Sequence, residues 1–236
     1  MEILRSKTGR ILIEAHHAVP SQSGVGIWAA LEDTLRTGVD LLEVDVYRLK
    51  DGSLLIYDGY LLPDGRCISD MTSHELESLK LLGHSIVYLR EVLDWAACNY
   101  VGLSLDIKNE LDLEPRAFLD TVSMVDKCGM IDRVMLVAWD HVGLRLAKKA
   151  NPQINTRASI RCRPVDLLHI AKTALANVIG LPIGFIRRDQ FEELHNDEIG
   201  VAGIMRDHIA YPSDLLPDLI CCNGIEDIRL VQQRQH

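Results

Sequence analysis

The chain has 236 residues, 47% of them hydrophobic and 25% charged, with a formal net charge of −9. That length buries a continuous core, and ordinary Gly and Pro usage excludes a fibrous or disordered chain. An acidic balance opposes a general nucleic-acid binder, because a phosphate backbone demands a basic face.

No apolar run reaches the roughly 20 residues of a membrane span, and no signal-peptide pattern opens the sequence. The cysteines at 67, 98, 128, 162, 221 and 222 show no CxxC spacing. Cys98, Cys128 and Cys221 fall in apolar stretches, where a free thiol behaves as a small hydrophobe. A reduced, cytoplasmic chain is expected.

Met1–Lys7 reads as an ordinary leading segment, after which strand and helix patterns alternate to the end. Arg10–His16 predicts a strand and Ile27–Gly38 an amphipathic helix with a glycine stop. Leu41–Leu49 and Ser53–Tyr57 predict strands joined by the Asp51-Gly52 turn. Short helices are expected at His74–Leu81 and Leu89–Asn99, then a strand at Val101–Lys108 and a helix over Glu114–Gly129. Further strands are expected at Arg133–Trp139, Asn155–Ile160, Val178–Phe185, Val201–Met205 and Leu219–Cys222. Helices at Val142–Ala150, Val165–Ala176, Asp189–His195 and Ile225–Gln233 fall between or after them.

Apolar strands alternating with helices imply a parallel sheet covered by helices. About eight such units without a linker predict a single α/β domain over residues 1–236, a (β/α)8 TIM barrel. An open doubly wound sheet is the other candidate, but no GxGxxG opens a helix after the first strand. A barrel places its chemistry at the C-terminal ends of the strands.

Residues that are expensive to bury sit at those ends. The first strand ends in Ala15-His16-His17, and the second carries Glu43-Val44-Asp45. SLLIY leads into Asp58, and LSLDIK supplies Asp106 and Lys108. Residues i and i+2 of a strand share a face about 6.7 Å apart. Glu43 and Asp45 therefore project together, and Asp106 and Lys108 do likewise. Like carboxylates in a partly dry site repel, and one takes up a proton unless a cation compensates. Oxygen donors favour a hard divalent ion, Mg2+ or Ca2+ with Mn2+ also admissible, over zinc. The bland alternative pairs the three acids with Arg36, Arg48 and Lys108 and binds no metal.

Other polar positions carry two readings each. Adjacent strand residues face opposite ways, so His17 reads as a packing residue unless the strand has already ended at His16. Trp139 either stacks on a substrate or tops the core. Arg157 and Arg161 offer planar contacts to phosphate. His141 and the Arg187-Arg188 pair read as helix starts. Arg206-Asp207-His208 and Asn223 follow the last two strands and are expected to face the mouth.

The stretches AHHA, GVDLLEVDVYRLKDGSLLIYDGYL, SDMTSHELESLKL, LREVLDWA and LSLDIKN resemble the glycerophosphodiester phosphodiesterases. That family runs HRG, a helix, G-x-x-x-x-E-x-D-V-x-x-x-K-D-G-x-x-V-x-x-H-D-x-x-L, then D-x-T-x-x-E-L and an E-x-K strand. The likeness covers roughly the first half of the chain, in order and spacing. It implies a (β/α)8 barrel, one divalent ion, and cleavage of a small glycerol-linked phosphodiester by two histidines. Carried over, His16 matches the first catalytic histidine and Glu43 and Asp45 the metal-binding pair. Asp106 stands at the position of a metal-binding glutamate, and Lys108 at that of the lysine near the phosphate. The D-x-K strand also resembles the sphingomyelinase D branch, which transfers the phosphate to an internal hydroxyl.

Three departures stand out. His17 replaces the family's arginine, Gly24-Val25-Gly26-Ile27 replaces P-E-N-T, and Tyr57 replaces the second catalytic histidine. A tyrosine hydroxyl, with pKa about 10, is a poor base but can donate a proton. The sequence therefore predicts a divergent enzyme that cleaves or transfers at a phosphodiester, with His16, Tyr57 and Lys108 catalytic and His17, Trp139 and Arg157 on the substrate. The competing class is a catalytically silent barrel that binds a phosphorylated ligand or a protein partner.

Overall fold

Ten strands follow one another as β1 (Leu12–Ala15), β2 (Leu41–Arg48), β3 (Leu54–Ile56), β4 (Val87–Tyr88), β5 (Gly102–Ile107), β6 (Val134–Ala138), β7 (Asn155–Ser159), β8 (Val178–Pro182), β9 (Gly200–Ile204) and β10 (Leu219–Cys222). Eight of them run parallel and close: β1, β2, β5, β6, β7, β8, β9 and β10 pair in that order, and β10 returns to β1. This is the (β/α)8 barrel. The computed structural model describes residues 1–18, 26–59, 61–62, 64–79, 86–108, 115–205 and 216–233. Gly24, Val25 and the Arg206-Asp207-His208 run lie outside them.

The helices are α1 (Arg5–Thr8), α2 (Ile27–Leu35), α3 (Ser73–Ser78), α4 (Leu89–Asn99), α5 (Arg116–Lys127), α6 (His141–Ala150), α7 (Leu167–Ala174), α8 (Arg188–Asn196) and α9 (Ile225–Gln233). In α5 the buried positions Ala117, Phe118, Thr121, Val122 and Val125 follow helical spacing, which turns one stripe onto the sheet. Phe118 also sets the distance to α6, since a Cβ on Gly143 would lie 2.1 Å from its ring. Asp140 and Asp166 cap α6 and α7 by accepting from Gly143 N and His169 N. Among the described residues no helix is long and apolar enough to cross a membrane.

The Ser53–Tyr57 strand forms as expected, as a hairpin partner outside the barrel: β3 lies antiparallel on the overhanging end of β2 through Val46, Tyr47 and Arg48, and β4 extends it. The two-residue β4 is too short to show a period in the sequence. Two expectations are corrected. Met1–Lys7 is no mere leader, because Ile3 packs with Leu12, Leu41, Met135, Val178 and Leu219 to floor the barrel. Arg5 N anchors it by donating to Asp218 Oδ1 at 2.7 Å. Finally, Cys98 is exposed, unlike half-buried Cys128 and buried Cys221, because α4 turns Leu89, Val92, Leu93 and Ala96 inward instead.

Candidate active site

Strand period sorts the barrel interior into layers. Above the apolar floor, Glu14 of β1 meets Arg157 of β7 inside the barrel. Arg157 Nη1 donates to both Glu14 oxygens at 2.8 and 2.9 Å, and Ser104 Oγ donates to Glu14 as well. Both members of the pair are buried. Burial alone would lower the Arg157 pKa, but the Glu14 carboxylate outweighs it and the guanidinium stays charged. Room for the arginine comes from Gly180, where a Cβ would lie 3.0 Å from Arg157 Cδ. The sequence did not single out Glu14 as functional. Its signal was present: an acid inside the apolar run ILIEA, two residues before His16.

One layer higher lie the predicted acids. Donor atoms of Glu43, Asp45 and Asp106 all fall within 4.8 Å of one another, because β2 and β5 run side by side with Asp45 opposite Asp106. Burial raises all three above their ordinary values; Glu43 rises further beside Asp106 and Asp45, and Asp106 is pushed up to about 6. Of the three cations offered as partners without a metal, Arg36 pairs with Asp33 and Arg48 with Asp120. Lys108 does engage the acids, at 2.5 Å from Asp106 Oδ2 and 3.3 Å from Asp45 Oδ1. Burial would lower its pKa, but Asp106 and Asp45 outweigh that and raise it.

One ammonium does not balance three buried carboxylates. Asp45 Oδ1 also accepts no aligned hydrogen bond. These residues fit a hard divalent cation held by oxygen ligands. An acid protonated in the folded chain but ionised when unfolded lowers stability as pH rises from its ordinary value to its folded one. For Asp106 that interval runs from 3.8 to about 6. A cation takes the ionised form, so millimolar Mg2+ or Ca2+ should raise the melting temperature more at pH 8 than at pH 5.5. Equal shifts at the two pH values would contradict this.

The histidines are brought together by a break in the chain. β1 ends at Ala15, and His16–Ala18 forms a single 3-10 turn with His17 at φ 53, ψ 30. This left-handed backbone is costly for a histidine. It turns both rings to the same mouth, with centroids 3.8 Å apart. The packing reading of His17 is thereby overturned: the strand stops one residue earlier than its apolar pattern suggests. His17 N donates to Glu43 Oε2 at 2.7 Å. Its Nδ1 lies 4.0, 4.0 and 3.8 Å from oxygens of Glu43, Asp45 and Asp58. Burial and the neighbouring His17 lower the His16 pKa to about 4.

A cavity of about 200 Å³ opens above these groups, lined among others by His16, Glu43, Asp106, Trp139, Arg157 and Arg161. Tyr57 is not among its lining residues. It borders a smaller hollow of about 30 Å³ with His17, Asp45 and Asp58, and its hydroxyl donates to Leu61 O at 3.2 Å. Burial and Asp58 raise its pKa. Trp139 is 36% exposed, with the Arg161 guanidinium over its ring at 3.0 Å from the centroid and Lys108 Nζ at 5.6 Å. Asn223 also lines the cavity and donates to Met205 O at 2.6 Å. His141 opens α6 and Arg188 opens α8, as expected.

No family model matches the chain. A curated glycerophosphodiester phosphodiesterase from Caldanaerobacter subterraneus is 24% identical over 175 residues, spanning 69% of this chain and 72% of that protein. A solved glycerophosphodiester phosphodiesterase from Parabacteroides distasonis superposes with TM-score 0.80 at 16% identity, covering 96% of this chain and 99% of its own. A phosphodiesterase from Oleispira antarctica, solved in complex with the product sn-glycerol-3-phosphate, superposes with TM-score 0.76 at 16% identity, covering 97% and 99%. The chain thus has the fold of the glycerophosphodiester phosphodiesterases and is similar in sequence to that family over about two thirds of its length.

Proposed function

We propose that this chain is a metal-dependent phosphodiesterase acting on a small glycerol-linked phosphodiester. The observation that carries the reading is the convergence of Glu43, Asp45 and Asp106 beside His16 and Lys108 at the mouth of one barrel. The likeness to glycerophosphodiester phosphodiesterases supports it, as does the product bound in the Oleispira relative.

Glu43, Asp45 and Asp106 would hold the ion, which supplies Lewis-acid polarisation of a phosphoryl oxygen. His16, neutral at physiological pH because burial holds its pKa near 4, accepts the proton of the attacking hydroxyl. Water or a hydroxyl of the substrate itself can serve as that nucleophile. Lys108, held charged by two carboxylates, faces the negative charge that develops on the phosphoryl group. His17 is the second imidazole at the mouth and protonates the departing alkoxide. Tyr57, with its hydroxyl on the Leu61 carbonyl, holds the loop that carries Asp58.

Turnover of glycerophosphodiesters with Mg2+, Mn2+ or Ca2+ tests this reading. His16→Gln should cost about 10²–10⁴-fold in kcat, the usual scale of a positioned acid–base group. Tyr57→Phe, which removes only the bond to Leu61, should cost less than about threefold. A hundredfold loss in Tyr57→Phe would return the proton-donor role to the phenol. No cation-dependent turnover at all would favour the silent barrel.

A further inference from the structure

The cavity has two electrically different halves. Glu43 and Asp106 are the only carboxylates on its described lining, and both lie on the His16 side. The wall formed by β6 and β7 carries Arg157 and Arg161 with Trp139 and Ser159. Arg161 is exposed, its guanidinium lies against the Trp139 ring at 3.0 Å from the centroid, and it forms no hydrogen bond or ion pair among the described residues. Stacking holds the planar fork in place while leaving its N–H edges free. On the same wall Arg157 Nε, buried, also has no partner. A guanidinium fixed in this way recognises a phosphate or carboxylate. The same stack covers the aromatic face that a quaternary ammonium would need.

We propose that this wall is an anion subsite for the second alcohol of the diester. The preferred substrate carries a further phosphate on that alcohol, as repeated glycerol-phosphate units do, and not a cationic head group. The proposal rests on the phosphodiesterase reading for its chemistry, but the subsite itself is measurable without turnover.

Three glycerophosphodiesters should be compared, with choline, glycerol or glycerol phosphate as the second alcohol. The anionic diester should exceed the choline diester in kcat/KM by about tenfold or more at low salt, the worth of one charge-assisted contact. That ratio should shrink as ionic strength rises. In Arg161→Gln it should fall at least about fivefold, chiefly through KM, and Trp139→Leu should lower it in the same direction by releasing the fork. A choline preference, or an unchanged ratio in Arg161→Gln, overturns the proposal.

Calorimetry with glycerol 1,3-bisphosphate against glycerol 3-phosphate separates the two readings. If no diester is turned over but the bisphosphate binds about tenfold tighter in an Arg161-dependent way, the subsite stands and the catalytic reading falls. Equal affinity for the two phosphates removes the subsite even in an active enzyme.

Discussion

Glu43→Gln should reduce turnover by about 10³-fold, because a metal ion contributes several kcal/mol of charge stabilisation and each 1.36 kcal/mol is tenfold in rate. The substitution keeps size and shape, and the amide oxygen can still accept from His17 N. What it removes is one buried negative charge crowded by Asp45 and Asp106. The cation-free protein should therefore melt at or above the wild-type temperature, since an uncompensated buried charge is lost. Addition of Mg2+ or Ca2+, which should stabilise the wild type, should do little for the variant. Activity and cation-free stability thus move in opposite directions. A variant that loses both would show that Glu43 supports the fold and not an ion, and calorimetric unfolding with and without the cation decides between the two.

Arg157→Met should produce the largest loss of stability, about 3–5 kcal/mol, because it leaves the buried Glu14 carboxyl without its ionic partner inside the barrel. For a domain of this size each kcal/mol shifts the melting temperature by roughly 2–4 °C, so a drop near 10 °C is expected. Methionine fills most of the arginine stem, so cavity formation is a minor part of the cost. The double variant Glu14→Leu with Arg157→Met removes both charges and should recover most of that stability, the coupling expected of residues in direct contact. Recovery of stability without recovery of activity would show that Arg157 also serves the substrate. If the single and double variants melt alike, the pair is not the strut that its position suggests. Gly180→Ala makes a milder version of the same trial, since its Cβ would press on the Arg157 stem.

How much was legible in the sequence differs from residue to residue. Glu43, Asp45, Asp106 and Lys108 could be placed at one mouth because a strand has period two and the chain alternates strand with helix. That argument needs only local geometry, and β2 beside β5 bears it out. Leu89–Asn99, Leu219–Cys222 and Ile225–Gln233 match their patterns residue for residue, since each carries an apolar period closed by polar neighbours.

The rest depended on contacts between distant segments. Glu14 and Arg157 are 143 positions apart, and no local rule joins them. Closure of the barrel puts β1 and β7 on opposite sides of one interior, and only there does the arginine find its acid. His17 is the sharper case. Its apolar leader predicts continuation of the strand, but the backbone turns left-handed at φ 53, where its N–H meets Glu43. A strained local conformation of that kind is stable only because the surrounding tertiary structure holds it. Tyr57 shows the converse: the motif put a phenol where a catalytic imidazole was expected, and the fold turned its hydroxyl to Leu61. Residue type and strand period thus determined the barrel and its ring of acids. Which buried charges pair, and where the two imidazoles sit, was decided by long-range packing, because charge pairing and ring placement follow from distances in space and not from spacing along the chain.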